Sequence, residues 1–183
     1  ADYEKPVTEK GFAERVLYEV ELKRPLPNPR KKFLTDLAHE VFHRLFAVAP
    51  PRRIQLLREA LARLEHDPEL GLSWIVLPRA IVDDLQSTAE DYEGLIDHAR
   101  SIEGTRLAIL FREVDAANTK VSFRSSGPTD VNRIARQFGG GGHVKASGAS
   151  VPSPLSDAVP AVLEVVRTAL RRGNGGRSRA KLR

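Results

Sequence analysis

Neither cysteine nor methionine occurs in the 183-residue chain, and tryptophan occurs once. Without cysteine there are no disulfides and no thiolate metal ligands, which suits a reducing, cytoplasmic setting. The missing methionine includes the initiator, so we expect a segment of a longer polypeptide. No apolar run approaches the roughly 18–20 residues that span a bilayer, and no membrane partner is expected. The first residues, Ala1-Asp2-Tyr3-Glu4-Lys5, are charged from the second position and do not form a signal peptide. Acidic residues are absent from Arg171 to Arg183, a stretch of thirteen that holds six Lys or Arg. Without it, 23 basic residues face 24 acidic ones, so the net charge of +5 belongs to the end of the chain. We read residues 171–183 as a flexible, solvated basic tail whose pull on phosphates would be nonspecific and salt-sensitive.

What is present is an ordinary globular balance, 41 % hydrophobic and 29 % charged. Val16, Tyr18, Val20 and Leu22 alternate with polar residues over 15–23, the period of a half-buried strand. Pro25, Pro27 and Pro29 break the chain. Phe33, Leu34, Leu37, Val41, Leu45 and Val48 then recur at helical spacing from Lys32 to Val48. After Pro50-Pro51 a second helix is predicted from about Arg52 to Leu64, with Ile54, Leu57, Leu61 and Leu64 as its inner stripe. Leu72 to Leu77 reads as a strand, Arg79 to Leu85 and Glu90 to Ile102 as helices with Ser87 or Thr88 as a cap, and Arg106 to Arg112 as an apolar strand. Asp115 to Asn118 turns into a partner strand, Lys120 to Arg124. Thr129 or Asp130 caps a helix through Ala135, Ala149 to Val151 returns as a strand, and Leu155 to Leu170 closes as a helix. The fold class is therefore α/β, a mixed central sheet flanked by helices. Residues 1–50 form an extension, 51–170 the domain and 171–183 the tail.

Residues 138–148, Phe-Gly-Gly-Gly-Gly-His-Val-Lys-Ala-Ser-Gly, carry the strongest chemical signal. Four consecutive glycines are entropically expensive to order, and a folded domain that keeps them usually brings bare backbone close to something. Gly139, Gly140, Gly141 and Gly142 run directly into His143 and Lys145. Amide donors beside an imidazole and an ammonium suit a phosphate or a nucleotide end. Upstream, alternation sets Ser122 and Arg124 on the strand face opposite Val121 and Phe123. Arg124, followed by Ser125, Ser126 and Gly127, has the donors to grip a phosphate bidentately. One short helix separates the two signals, so Arg124 and His143 are expected at one edge.

A different motif lies upstream. His39-Glu40-Val41-Phe42-His43 fits H-E-x-x-H, which sets two imidazoles on one helical face with a glutamate beside them, as in zinc peptidases. A third ligand is needed, and Pro50-Pro51 ends the helix before the longer form of the motif. His39 and His43 read better as helix-surface residues.

The segment Val121 to Gly148 resembles the C-terminal, DHH-associated substrate-binding domain of DHH-type phosphoesterases. Within that family it resembles the nanoRNase branch of oligoribonuclease and pAp phosphatase enzymes, which includes enzymes acting on linear or cyclic dinucleotides. The resemblance extends to Glu93–Asp97, Arg100–Gly104, Leu110–Glu113 and Pro51–Leu57, and covers about residues 40–170. It implies that an upstream DHH domain holds two manganese ions that activate water, while this domain closes over the cleft and holds the terminal nucleotide. By that resemblance Arg124 and Ser125 bind phosphate or base, Gly139 to Gly142 let the backbone approach, and His143 contacts phosphate near the metals. The chain departs from the family in lacking Asp-His-His, and none of its five histidines is set among the family's aspartates. We therefore expect no metal or cofactor in this chain and no hydrolysis by it alone. The implied partners are short RNA or DNA oligonucleotides, pAp or dinucleotides, the upstream DHH domain and a possible second copy. A non-catalytic module that binds nucleic acid or protein through its surface or basic tail is the alternative.

Overall fold

The structure is a computed structural model that describes residues 36–41 and 49–178, the stretch 172–178 as backbone only. The chain divides into two units, Ala1–Pro50 and Pro51–Arg183. In the first, residues 36–41 are helical and expose Leu37 and Val41. The alternating segment 15–23, the three prolines and His43 lie outside the described residues.

The second unit is built on a six-stranded sheet. Its elements are α1 (Pro51–Ala62), β1 (Leu64–Asp67), β2 (Leu72–Leu77), α2 (Arg79–Asp84), a 3-10 turn (Ala89–Tyr92), α3 (Leu95–Arg100), β3 (Leu107–Asp115), β4 (Asn118–Ser125), α4 (Val131–Arg136), β5 (Gly141–His143), β6 (Ala146–Val151) and α5 (Leu155–Ser178). The spatial order is β1-β2-β3-β4-β6-β5. β2 and β3 run parallel, joined by the helical crossover such a pair requires, and the remaining neighbours are antiparallel. The sheet is mixed, as expected.

Period-two alternation divides the core between the two faces. Leu107, Ile109, Phe111, Val121 and Phe123 point to one face, where Val131, Ile134 and Ala135 of α4 and Val162, Val166 and Leu170 of α5 cover them. Ala108 and Leu110 point to the other and pack against Leu56 and Ala60 of α1 and Leu95, Ile96 and Ala99 of α3. Each large apolar side chain so buried contributes about 1.5–3 kcal/mol.

Four expectations change. Leu64 is not the end of α1; it opens β1 and pairs with Ile75, a sheet contact that overrides helical periodicity. The buried stripe of α1 is Leu56 and Ala60, whereas Ile54 and Leu61 are exposed; a small alanine at the contact lets the helix approach closely, which a count of large residues misses. The predicted helix from Glu90 to Ile102 is two pieces, because Gly94 takes φ +82° between the 3-10 turn and α3. α5 does not stop at Leu170: its backbone stays helical to Ser178, through three glycines that make the sequence read as a tail.

Candidate functional site

The glycine run and the Arg124 segment are locked together by backbone. Asp130 caps α4, its carboxylate accepting from the amides of Asn132 (2.9 Å) and Arg133 (3.2 Å). α4 ends at Arg136, and the turn after it closes at Gly139, whose φ of +71° permits the bonds from Gly139 N–H to Arg136 and from Gly140 N–H to Ala135. The chain then turns back as β5, not as an open loop. A side chain at Gly140 would fall 2.2 Å from the Gly148 carbonyl oxygen, and one at Gly142 2.7 Å from that of Ala146. Those two glycines are needed for the approach of β5 to its own neighbour, β6. Gly141 differs, for a Cβ there would meet only Asn132 Oδ1, at an ordinary 3.7 Å.

The two-residue turn Val144-Lys145 joins β5 to β6 and is itself anchored. Val144 accepts from the Val131 amide and Lys145 from the Ser125 amide, both at 3.0 Å. The Lys145 ammonium donates to the Gly127 carbonyl. The Ser147 hydroxyl donates to the His143 carbonyl at 2.6 Å. Ser125 is 4 % exposed, and its hydroxyl donates to the Thr129 carbonyl at 2.7 Å. The two halves of the motif are thus one hydrogen-bonded unit, with Ser125 building the turn from inside.

Register then places the charged side chains. Arg124 on β4 pairs with Ala146 on β6, and Ala146 pairs with His143 on β5. Directly paired residues share a face, so Arg124 and His143 stand in one row, two strands apart, with a single methyl between them. The next row toward β4's start is Ser122, Gly148 and Gly141. Of this face, β2 and β3 are covered by α1 and α3, whereas the β4, β6 and β5 part carries only small or polar side chains. At the boundary runs an open cleft of about 310 Å³, lined among others by Tyr92, Arg112, Lys120, Ser122 and Arg124. The Arg124 guanidinium also donates to the Phe123 carbonyl at 3.0 Å, which aims it along the strand.

The cleft wall is the 89–94 segment, and α1 holds it. Arg53 donates to the Glu93 carbonyl at 3.1 Å. Asp91, 2 % exposed, accepts from Arg52 (2.7 Å) and from the Thr88 amide (2.8 Å). Burial pushes the Asp91 carboxyl up, but the Thr88 amide and the Arg52 guanidinium outweigh it and hold it below the ordinary aspartate range.

Of the residues singled out in the sequence, Arg124 and His143 share the row, and Gly141 belongs to the open floor. Gly139, Gly140 and Gly142 serve the fold; the Ser125 hydroxyl donates to the Thr129 carbonyl, and the exposed Lys145 ammonium gives one of its three N–H donors to the Gly127 carbonyl. The sequence motifs do not single out Ser122, Arg112, Lys120 or Tyr92 as site residues. Alternation along β4 nevertheless marks Lys120 and Ser122 as polar positions between buried ones, and Arg112 follows the buried run that opens β3. His39 and Glu40 lie in the first unit. Among the described residues no group of three or more His, Asp or Glu is placed to hold a metal ion, so a pair of manganese ions does not fit them.

A family model for the DHHA1 domain matches residues 77–172, just over half of the chain. The chain belongs to the DHHA1 family. Similar curated proteins include two described as bifunctional oligoribonuclease and PAP phosphatase NrnA. The one from Thermus thermophilus is 39 % identical over 88 residues, 48 % of this chain and 26 % of the relative. That from Bacillus subtilis is 35 % identical over 85 residues, 46 % of this chain and 26 % of the relative. The matched part thus spans about a quarter of those proteins. Among solved structures, an exopolyphosphatase-related protein from Bacteroides fragilis superposes with a TM-score of 0.64 at 21 % identity, covering 89 % of this chain and 50 % of that one. That likeness shows a shared fold alone. No helix among the described residues is long and apolar enough to cross a membrane.

Proposed function

We propose that this DHHA1 domain holds the terminal nucleotide of a short oligonucleotide, or a small nucleotide such as pAp or a dinucleotide, for a DHH-type phosphoesterase. The row of Arg124, Ala146 and His143 carries the reading. A guanidinium and an imidazole flank a methyl, beside a floor of Ser122, Gly148 and Gly141 where no side chain blocks a phosphate or ribose from the backbone. Arg124 supplies a planar fork for phosphate oxygens and His143 a second donor across the gap. Hydrolysis belongs to a DHH domain with its manganese ions, which when bound would activate water there. This chain's part is to bind and orient. The relatives named for oligoribonuclease and PAP phosphatase activity support the ligand class.

Titration of the chain with pAp and with a diadenylate, followed by calorimetry, tests the reading. Binding in the micromolar to millimolar range is expected, weakened by Arg124→Ala and by His143→Ala with the melting temperature little changed. Saturable binding that ignores both substitutions removes the proposal.

A further inference from the structure

The cleft floor carries a second group of cations, away from the Arg124 row. Arg112 on β3 and Lys120 on β4 are direct cross-strand partners, and both line the cleft. Like charges set directly opposite each other destabilise a sheet unless an anion joins them. Among the described residues neither makes an ion pair. The Arg112 guanidinium instead lies 4.3 Å from the centroid of the Tyr92 ring, a cation–π contact that fixes its position at the wall. Tyr92 is in turn fixed by the Asp91–Arg52 anchor one residue away.

Lys120 stands four residues before Arg124 on the same strand and the same face. At about 3.3 Å per residue the two cation rows are about 13 Å apart. Two phosphates on one ribose do not reach across such a gap, whereas non-adjacent phosphates of a short strand do. The opposite wall contributes Glu93 and Asp97, the latter already paired with Arg100 at 2.9 Å. Cations on the sheet floor and acids on the helix wall sort an occupant, with phosphates down and ribose or base donors toward the wall.

We infer that Arg112 and Lys120 form a second phosphate subsite, which selects a short oligonucleotide over a mononucleotide bisphosphate. The inference rests on the nucleotide-binding reading above. It is tested on the full chain by calorimetry with pAp and with a 5′-phosphorylated triadenylate at several salt concentrations. Wild type should favour the trinucleotide, and Arg112→Gln with Lys120→Gln should lower the trinucleotide-to-pAp affinity ratio roughly tenfold. The salt slope for the trinucleotide should fall by about 0.7 for each phosphate that the double variant no longer neutralises. A ratio that does not move, or a wild type without preference, overturns the subsite. Arg124→Gln should weaken both ligands; if it weakens neither, the nucleotide-binding reading falls itself, whatever the double variant does. Thermal melts of each variant separate weakened binding from unfolding.

Discussion

The two faces of β4 and β6 are built from the same dozen residues and share nothing in character. One face presents Val121, Phe123, Ser147 and Ala149, all buried; the other presents Ser122, Arg124, Ala146 and Gly148, half-buried beside an open cleft. Alternation makes such a division unavoidable in any strand. What differs here is that, apart from Lys120 and Arg124, the paired residues of the open face are only Ser122, Ala146, Gly148 and Ser150. A solvated face ordinarily carries Lys, Glu or Thr, which pack along the sheet; glycine and alanine leave its backbone within reach of a ligand.

Adjacent residues offer the sharpest way to break that comparison. Phe123→Ala empties the covered face and should cost about 3–5 kcal/mol in urea unfolding. Arg124→Ala, one residue on, should stay within about 0.5–1 kcal/mol of wild type while abolishing most nucleotide affinity. Equal stability losses would mean that Arg124 is a packing residue and that the faces do not differ in role.

The glycine run divides in the same way on a smaller scale. Gly140→Ala forces a methyl to within 2.6 Å of Ala149 Cβ, and should destabilise by about 1–3 kcal/mol as the β5–β6 hairpin shifts. Gly141→Ala has room, so its unfolding midpoint should hold while pAp binding weakens. If Gly141→Ala binds like wild type, the floor beside His143 is not a ligand surface.

The wall should respond to acid. Asp91 keeps its charge to lower pH when folded than when unfolded, so the unfolded chain takes up more protons in acid. Its contribution is complete above the ordinary aspartate value and is lost as pH falls through the folded one. Asp91→Asn should cost about 1–2 kcal/mol near neutrality, discounted because Arg52 is partly exposed, and should flatten that part of the acid profile. An unaltered profile of stability against pH would show that the Arg52 contact does not hold the wall.

Much of the fold and site is legible in the residues, and the rest is hidden for definable reasons. Leu72–Leu77 is unambiguous as a strand because six apolar or small residues end at a proline. A cap at Thr129 or Asp130, of which the structure uses Asp130, and the faces of Val121 to Arg124 follow from side-chain chemistry and alternation. That Arg124 and His143 meet is inferable from order along the chain, but their sharing of a row depends on register across β6, which no local pattern encodes. β5 is invisible in the sequence because glycine is a poor strand former, and its pairing comes from closeness to β6. Ser125 reads as a donor for ligand because a hydroxyl's direction cannot be deduced from its neighbours. Arg112 and Lys120 escape notice because each alone is an ordinary strand-end cation; only the hairpin register puts them opposite each other.

The most direct measurement is an amide-resolved NMR titration of the labelled chain with pAp. The account predicts the largest shifts at Ser122, Arg124, Gly141, His143 and Gly148, with the amides of Val162 to Leu170 unmoved. Shifts confined to α5 and the basic residues beyond it, with that row silent, would contradict it.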